Sequence, residues 1–323
     1  MARSKTVQLN IILYLISTIF LYVLVTFSLL VPEWIGARKS PFACNDYSIR
    51  NPLKKQTVST LMLILITVLA TILIIIVTEF IIDRHSGSDH FFKFQKYYLP
   101  ALLVHIIAFL GYFQLGYVMQ IVVNQVTKYA VGRLRPHFYT VCQPINFTCV
   151  LPEQLIYDYT CTGNKKEFDE ARLSFYSGHS SISMYTVTFL ALYLHARIGH
   201  IAPRVILSTL QTLLFSGGLF ICYTRLQDYF HHPSDIATGM AVGIIGAFYS
   251  CFAWADMWQQ RGNYSAVHGK LIEEEDASVP SAVKVDTKST QPKPGNSEQP
   301  PPNAQIYHQE GSPNVDPLFI EHL

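Results

Sequence analysis

Charge is scarce in these 323 residues. Only 14% are Asp, Glu, Lys or Arg, half are apolar, and the mean hydropathy is +0.24, far from a soluble norm. No basic run is present and the net charge is only +2, so nothing points to nucleic acid as a partner. No His, Cys, Asp or Glu cluster has metal-ligand spacing, so neither a metal nor another cofactor is expected. No repeat recurs at a fixed period. No small-residue cleavage site follows the first apolar segment, which reads as a signal anchor rather than a removed leader.

The apolar residues gather into six runs, Leu9–Val31, Val58–Ile82, Leu99–Val123, Ser180–Ala196, Val205–Tyr223 and Ile236–Trp254, each read as a membrane-spanning helix. The expected fold is all-α, a polytopic bundle of six transmembrane helices over residues 1–260. From Arg261 the composition shifts. An acidic run at Glu273–Asp276 precedes a stretch rich in Pro, Ser, Lys and Gln that cannot bury enough apolar surface to fold. Residues 261–323 are therefore expected to be a disordered cytoplasmic tail. Its end, Phe319-Ile-Glu-His-Leu323, has a form that a PDZ-type partner could take, but a terminal hydrophobe also arises readily by chance.

Six crossings place both termini on one side, read as cytoplasmic. By parity, the loops holding Lys128–His179 and Arg225–Asp235 share the opposite side. The count of Lys and Arg does not choose a side, with five in the 33–56 loop against three in 83–98. Two other signals do. Asn146-Phe-Thr148 is a glycosylation sequon in the long third loop, and Cys44, Cys142, Cys149 and Cys161 crowd the same side. Both suit an extracellular or lumenal face. Four cysteines allow three disulfide pairings, and the sequence leaves that choice open. A second sequon, Asn263-Tyr-Ser265, falls in the tail and should stay unmodified.

Three stretches on that face carry chemistry. In Lys128-Tyr-Ala-Val-Gly-Arg-Leu-Arg-Pro136, Lys128 and Arg135 stand seven apart, which returns to nearly the same helix face. Ser174-Phe-Tyr-Ser-Gly-His-Ser-Ser181 opens an apolar segment, so the amides around Gly178 and His179 sit at a helix N-terminus that suits an anion. In Tyr223-Thr-Arg-Leu-Gln-Asp-Tyr-Phe-His-His-Pro-Ser-Asp235, Pro233 suits a first helical turn. Asp235 follows His231 by four, a spacing that lets the carboxylate fix the imidazole tautomer and leave its other nitrogen nucleophilic. Arg225 supplies a planar fork that fits phosphate. The last stretch alone is as well explained by a solvated loop. Together the three offer three permanent cations, an amide nest and two imidazoles.

This pattern resembles the type 2 phosphatidic acid phosphatase superfamily, whose signature is Lys-x6-Arg-Pro, Pro-Ser-Gly-His and Ser-Arg-x5-His-x3-Asp. Within it the chain is most similar to the integral-membrane lipid phosphate phosphatases, the group that includes the Wunen proteins. Those share Ser-Phe-Tyr-Ser-Gly-His, found here at 174–179, and a segment after the first span matched by Cys44-Asn-Asp-Tyr-Ser-Ile-Arg50. The resemblance covers roughly residues 8–260. Tyr176 replaces the superfamily Pro, as is normal for the subgroup, and Thr224 replaces the usual Ser while keeping the hydroxyl.

The resemblance implies that Lys128, Arg135, Ser177, Gly178 and Arg225 bind phosphate. It implies that His231, selected over His232 by the family spacing, is the nucleophile held by Asp235, and that His179 protonates the leaving group without a metal. Implied substrates are phosphatidate, lysophosphatidate, sphingosine 1-phosphate and ceramide 1-phosphate, hydrolysed at the outer face of a membrane, the plasma membrane foremost, to attenuate phospholipid signalling. A homo-oligomer is also implied. The alternatives are a catalytically silent adhesion or signalling relative, which should have lost motif residues that this chain retains, and a lipid transporter, which would release no inorganic phosphate.

Other polar residues have plainer readings. His105 and Gln114 are expected to be satisfied by neighbouring helices rather than to line a substrate path. Glu79 is expected to reach the membrane interface, and Phe91, Phe92, Phe94, Tyr97 and Tyr98 to form an interfacial belt.

Overall fold

The computed structural model describes residues 16–255 except 18, 28–29, 31–33, 87–90 and 95–96. Helical turns within residues 16–35 lead to α1 (Thr60–Ser86), α2 (Ala101–Val131), α3 (Phe138–Cys142), α4 (Lys165–Glu170), α5 (Gly178–Ile198), α6 (Arg204–Gln227) and α7 (Pro233–Tyr249). A π-helical turn over Ser250–Trp254 extends α7. Among the described residues, four helices are long and apolar enough to cross a membrane: Thr60–His85, Ala101–Val131, Arg204–Gln227 and Pro233–Trp254. They correspond to the second, third, fifth and sixth expected spans.

The third span runs eight residues beyond its expected end. Its polar last turns stay helical until Gly132, whose left-handed backbone (φ 62°) donates its N–H to the Lys128 carbonyl at 2.9 Å and stops the helix.

The fourth expected span is α5, which falls short in apolarity rather than length, since 21 residues rise ~31 Å. α5 is the central helix, packed by α1, α2, α6 and α7. Ser180, Ser181, Ser183, Thr186 and Thr188 are all buried in that ring of protein. Hydroxyls are tolerable there because partners satisfy them. Ser181 Oγ donates to Gln120 Oε1 at 2.6 Å, Thr186 to the Ile182 carbonyl at 2.9 Å, and Tyr185 to the Phe113 carbonyl at 2.9 Å. α7 approaches α5 closely through Gly239 and Gly243. A Cβ at these positions would stand 2.5 Å from the Ser177 carbonyl oxygen and 2.3 Å from that of Ser181.

The helices alternate in direction, so the starts of α1, α5 and α7 and the ends of α2 and α6 gather at one end. Ser177 N–H donates to the Asp235 carbonyl at 3.1 Å, Ser174 N–H to the Arg133 carbonyl at 2.9 Å, and Lys54 Nζ to the Gln227 carbonyl at 3.0 Å. Toward the far end lies Glu79, which does not reach the interface as expected. It is buried, accepting from Arg197 Nε (2.8 Å), Arg197 Nη2 (2.6 Å) and Tyr193 OH (2.8 Å), with His105 Nδ1 3.7 Å away. The guanidinium reaching across from α5 makes burial of that carboxylate tolerable. His105 thus has its helix neighbour, and Gln114 Nε2 donates to Tyr22 OH at 3.1 Å.

Above the helix ends the loops build a cap with small strands, a departure from a strictly all-α fold. Phe42–Ala43 pairs antiparallel with Leu155–Ile156, and Pro144–Ile145 with Thr160–Cys161. Both disulfides sit beside these ladders: Cys44–Cys149 holds the first and third loops together, and Cys142–Cys161 closes a turn within the third. Phe42 packs edge-on against Tyr139, Phe147 and Tyr159 beneath them. A third ladder, Phe91–Phe94 with Tyr97–Pro100, lies between α1 and α2. The side chains of the expected aromatic belt there lie outside the described residues.

Candidate active site

The site is built where α5 and α7 begin. Pro233 opens α7, and Asp235 closes a capping box by accepting the His232 N–H at 3.0 Å. Asp235 is fully buried. Its other donors are Ser174 Oγ at 2.6 Å and Arg133 Nη1 at 2.5 Å, the latter also donating to Ser234 Oγ at 2.8 Å. Three donors, one of them cationic, compensate the buried carboxylate.

That arrangement corrects the expected clamp on His231. Asp235 Oδ2 is 3.8 Å from His231 Nδ1, too far for a hydrogen bond, because the capping box turns the carboxylate toward the backbone. His231 Nδ1 lies instead 2.8 Å from the Ser174 carbonyl oxygen. A carbonyl only accepts, so Nδ1 carries the hydrogen and Nε2 is left as the bare nitrogen. Burial, reinforced by Arg135 and Lys128, pushes the His231 pKa down to about 3, against the pull of the Asp235 carboxylate. The ring is therefore neutral at physiological pH. Its neighbour His232 directs Nε2 at the Leu134 carbonyl, 3.0 Å away, which commits that nitrogen to the backbone.

At the start of α5, the Ser177 side chain caps the helix by accepting from Ser180 N–H at 3.4 Å and from Ser180 Oγ at 3.0 Å. Gly178 fits because Asn124 Oδ1 would stand 2.7 Å from a Cβ, and Asn124 Nδ2 in turn holds the Tyr176 carbonyl at 2.9 Å. His179 turns inward with Nε2 buried and without a hydrogen-bond partner. The Lys128 and Arg225 charges act electrostatically on its ring, and the Val58 backbone holds it.

Arg225, at the last turn of α6, is 1% exposed. Its Nε and Nη2 reach Thr224 Oγ1 at 3.3 and 3.2 Å, and that hydroxyl donates to the Ile221 carbonyl at 2.7 Å. Threonine thus does here what the usual serine could do. Arg225 Nη2 also meets Asp228 Oδ2 at 3.2 Å.

Arg135 is not on the helix that carries Lys128, contrary to the spacing argument. Gly132 has already ended α2, and Arg135 hangs in the following loop by its N–H to the Ala171 carbonyl, 2.7 Å. It remains in electrostatic reach of Lys128. Its Nη1 pairs with Glu170 Oε1 at 3.2 Å, while Nε is buried without a partner. Its guanidinium lies 5.4 Å from the Phe230 ring, whose centroid is 5.8 Å from that of Arg225. Lys128 forms no salt bridge among the described residues, which leaves its charge uncommitted.

The structure thus gathers Lys128, Arg135, Ser177, Gly178, His179, Arg225, His231 and Asp235 around one point. Sequence reasoning passed over Ser174, Arg133 and Asp228, although all three stand inside the motif strips and two are charged. Glu170 and Gln56 gave no local signal, since only the fold brings them to the arginines.

Three of the most similar relatives extend over most of the chain. The phospholipid phosphatase homolog 1.2 homolog of Caenorhabditis elegans is 35% identical over 277 residues, 84% of this chain and 79% of that protein. The PAP2 superfamily profile matches residues 109–260, which hold all three motifs. The chain belongs to the PAP2 superfamily. Human phospholipid phosphatase 2 is 37% identical over 66% of this chain and 73% of its own length, and mouse phospholipid phosphatase 1 is 32% identical over 71% and 81%. No solved structure matches at a significant level. The PAP2 match begins at Phe109 and omits the first loop. Yet that loop supplies Gln56, Thr57 and the Val58 backbone to the site, and Cys44 to the cap.

Proposed function

We propose that this chain, an integral-membrane lipid phosphate phosphatase of the PAP2 superfamily, works through a phosphohistidine formed on His231. One observation carries the reading: a neutral His231, its Nδ1 held by the Ser174 carbonyl, shares a cationic site with a His179 whose buried Nε2 has no partner. A buried polar atom left unpaired in the protein is one that a ligand can satisfy.

A phosphate monoester brings nearly two negative charges to Lys128, Arg135, Arg225 and the amides of Ser177–His179. His231 Nε2 attacks phosphorus in line, forming the N–P bond as the P–O bond to the lipid alkoxide breaks. His179 gives its Nε2 proton to that departing oxygen. The bound dianion offsets the Lys128 and Arg225 charges that face that ring and so favours the protonated imidazole the step needs. Water then attacks phosphorus, His179 takes its proton, and the N–P bond electrons return to His231. Fixed cations aimed where charge develops supply the electrostatic stabilisation that metals supply in other phosphatases. Among the described residues, no three His, Cys, Asp or Glu side chains gather as a metal-ligand set. The test is inorganic phosphate release from the purified protein in detergent and excess EDTA, run over the four candidate lipids, phosphatidate, lysophosphatidate, sphingosine 1-phosphate and ceramide 1-phosphate. Turnover should persist. Complete loss that Mg²⁺ restores would sink the mechanism, and absence of any phosphate release would favour a silent relative or a transporter.

The same reading sets the topology. α5 is long enough to cross, and a first crossing near residues 9–31, of which 9–15, 18, 28–29 and 31 lie outside the described residues, gives six spans with both termini cytoplasmic. The disulfide-bonded cap and the site then face the extracellular or lumenal side, where a headgroup reaches water while its tails stay in lipid. Asn146 stands exposed in the cap. Asn263, the terminal Phe319–Leu323 and the rest of the tail lie outside the described residues. Asn146→Gln should abolish a glycosidase-sensitive mobility shift that Asn263→Gln leaves intact. Glycan on Asn263 would invert the orientation.

A further inference from the structure

Asp228 caps the end of α6 and is 5% exposed, yet no step of the mechanism uses it. Its Oδ2 accepts from Arg225 Nη2 at 3.2 Å and from the Thr57 N–H at 2.7 Å, while Oδ1 accepts from Thr57 Oγ1 at 2.8 Å. Around it the segment just before α1 closes on the site. Lys54 Nζ reaches the Gln227 carbonyl at 3.0 Å and covers the Tyr229 ring at 4.2 Å. Gln56 Oε1 faces Arg225 Nη1 at 3.5 Å, and the Val58 backbone engages His179. One carboxylate therefore ties a phosphate-site guanidinium to the strip of first loop that backs the acid histidine.

We propose that Asp228, itself anchored by Thr57, is a positioning residue that fixes the fork of Arg225 toward the phosphate. The proposal rests on the reading of Arg225 as a phosphate ligand. The physical ground is that an arginine fork gives directed, bidentate recognition only when its plane is held, whereas a point charge needs no such hold. Thr224 Oγ1 on one side and Asp228 Oδ2 on the other define that plane.

The test is a double-mutant cycle on the purified full chain in detergent micelles, reading kcat and KM on a lipid phosphate and competitive inhibition by inorganic phosphate. Arg225→Lys keeps the charge and loses the fork. Asp228→Asn is expected to lower kcat/KM about 10- to 100-fold, the range for a hydrogen bond to a charged group, with weaker phosphate inhibition. In the Arg225→Lys background the same change should cost little further, because there is no fork left to orient. Thr57→Val, at an exposed position, removes only the Oγ1 bond and guards against misfolding of the Asp228 variant. It should lower kcat/KM less than Asp228→Asn does and likewise lose its effect beside Arg225→Lys. If Arg225→Lys is impaired but the Asp228 and Thr57 effects multiply with it in full, Asp228 is a cap of α6 only and the proposal fails. If Arg225→Lys leaves both KM and phosphate inhibition unchanged, the phosphate reading of Arg225 falls and takes the proposal with it.

Discussion

His231→Ala is expected to release no inorganic phosphate from an alkyl or an aryl phosphate, a fall of at least about 10⁴-fold on both, because no leaving group replaces a missing nucleophile. Rapid quench without acid, using substrate labelled in the phosphoryl group, should trap a phosphohistidine in the wild-type protein and none in this variant. His232→Ala should still trap it, since the His232 Nε2 is committed to the Leu134 carbonyl. Loss of the label in His232→Ala alone would move the nucleophile to that neighbour. The pH dependence follows from the same geometry. His231 binds its proton in the folded state only near pH 3, so it remains a competent nucleophile well below neutrality. The acid limb of kcat/KM should then follow the second ionisation of the substrate phosphate, near pH ~6. For stability the sign is that of a depressed histidine. The unfolded chain takes up that proton near pH ~6.5 and the folded chain does not, so the contribution is whole above ~6.5 and declines as pH falls toward 3.

The long apolar runs made most of the bundle legible, because a helix in lipid must present apolar residues and end at polar ones. Where the reading faltered, tertiary contacts had altered the local rule. α5 carries too many hydroxyls for a lipid-facing helix because its neighbours, rather than lipid, surround it. Glu79 looked like an interfacial carboxylate because the sequence does not show that Arg197, 118 positions away, folds across to it. The site was legible as a set of residues but less so as a set of contacts. Spacing of seven placed Lys128 and Arg135 on one helix face, yet one glycine in the left-handed region ended the helix between them and the loop restored their proximity. Spacing of four placed Asp235 under His231, yet the N–H of His232, the hydroxyl of Ser174 and the guanidinium of Arg133 took the carboxylate. The imidazole turned to the Ser174 carbonyl instead. Motif spacing encodes which groups meet, and the backbone decides which atom of each does the holding.

His179→Ala should separate the acid from the nucleophile, since its defect depends on what departs. A lipid alkoxide is a strong base that leaves slowly without a proton, and general acid catalysis contributes ~10²–10⁴-fold in such a step. An aryl oxide carries its charge more readily, so little of that contribution is needed. His179→Ala should therefore form phosphohistidine very slowly from a lipid phosphate yet recover a large share of the wild-type rate of that first step on an aryl phosphate. The structure adds a reason to expect the residual activity to be real. His179 Nε2 makes no hydrogen bond within the protein, so its removal strands no protein partner of that atom, while Ser177 still caps α5, Arg225 keeps Thr224 and Asp228, and His231 keeps the Ser174 carbonyl. In the quench experiment on the aryl substrate, His179→Ala should still form phosphohistidine, and the intermediate should persist longer because the water that cleaves it has lost its base. Equal slowing of phosphohistidine formation on both substrates would remove His179 from the role of acid. A label that survives in His231→Ala and vanishes in His179→Ala would exchange the two roles outright.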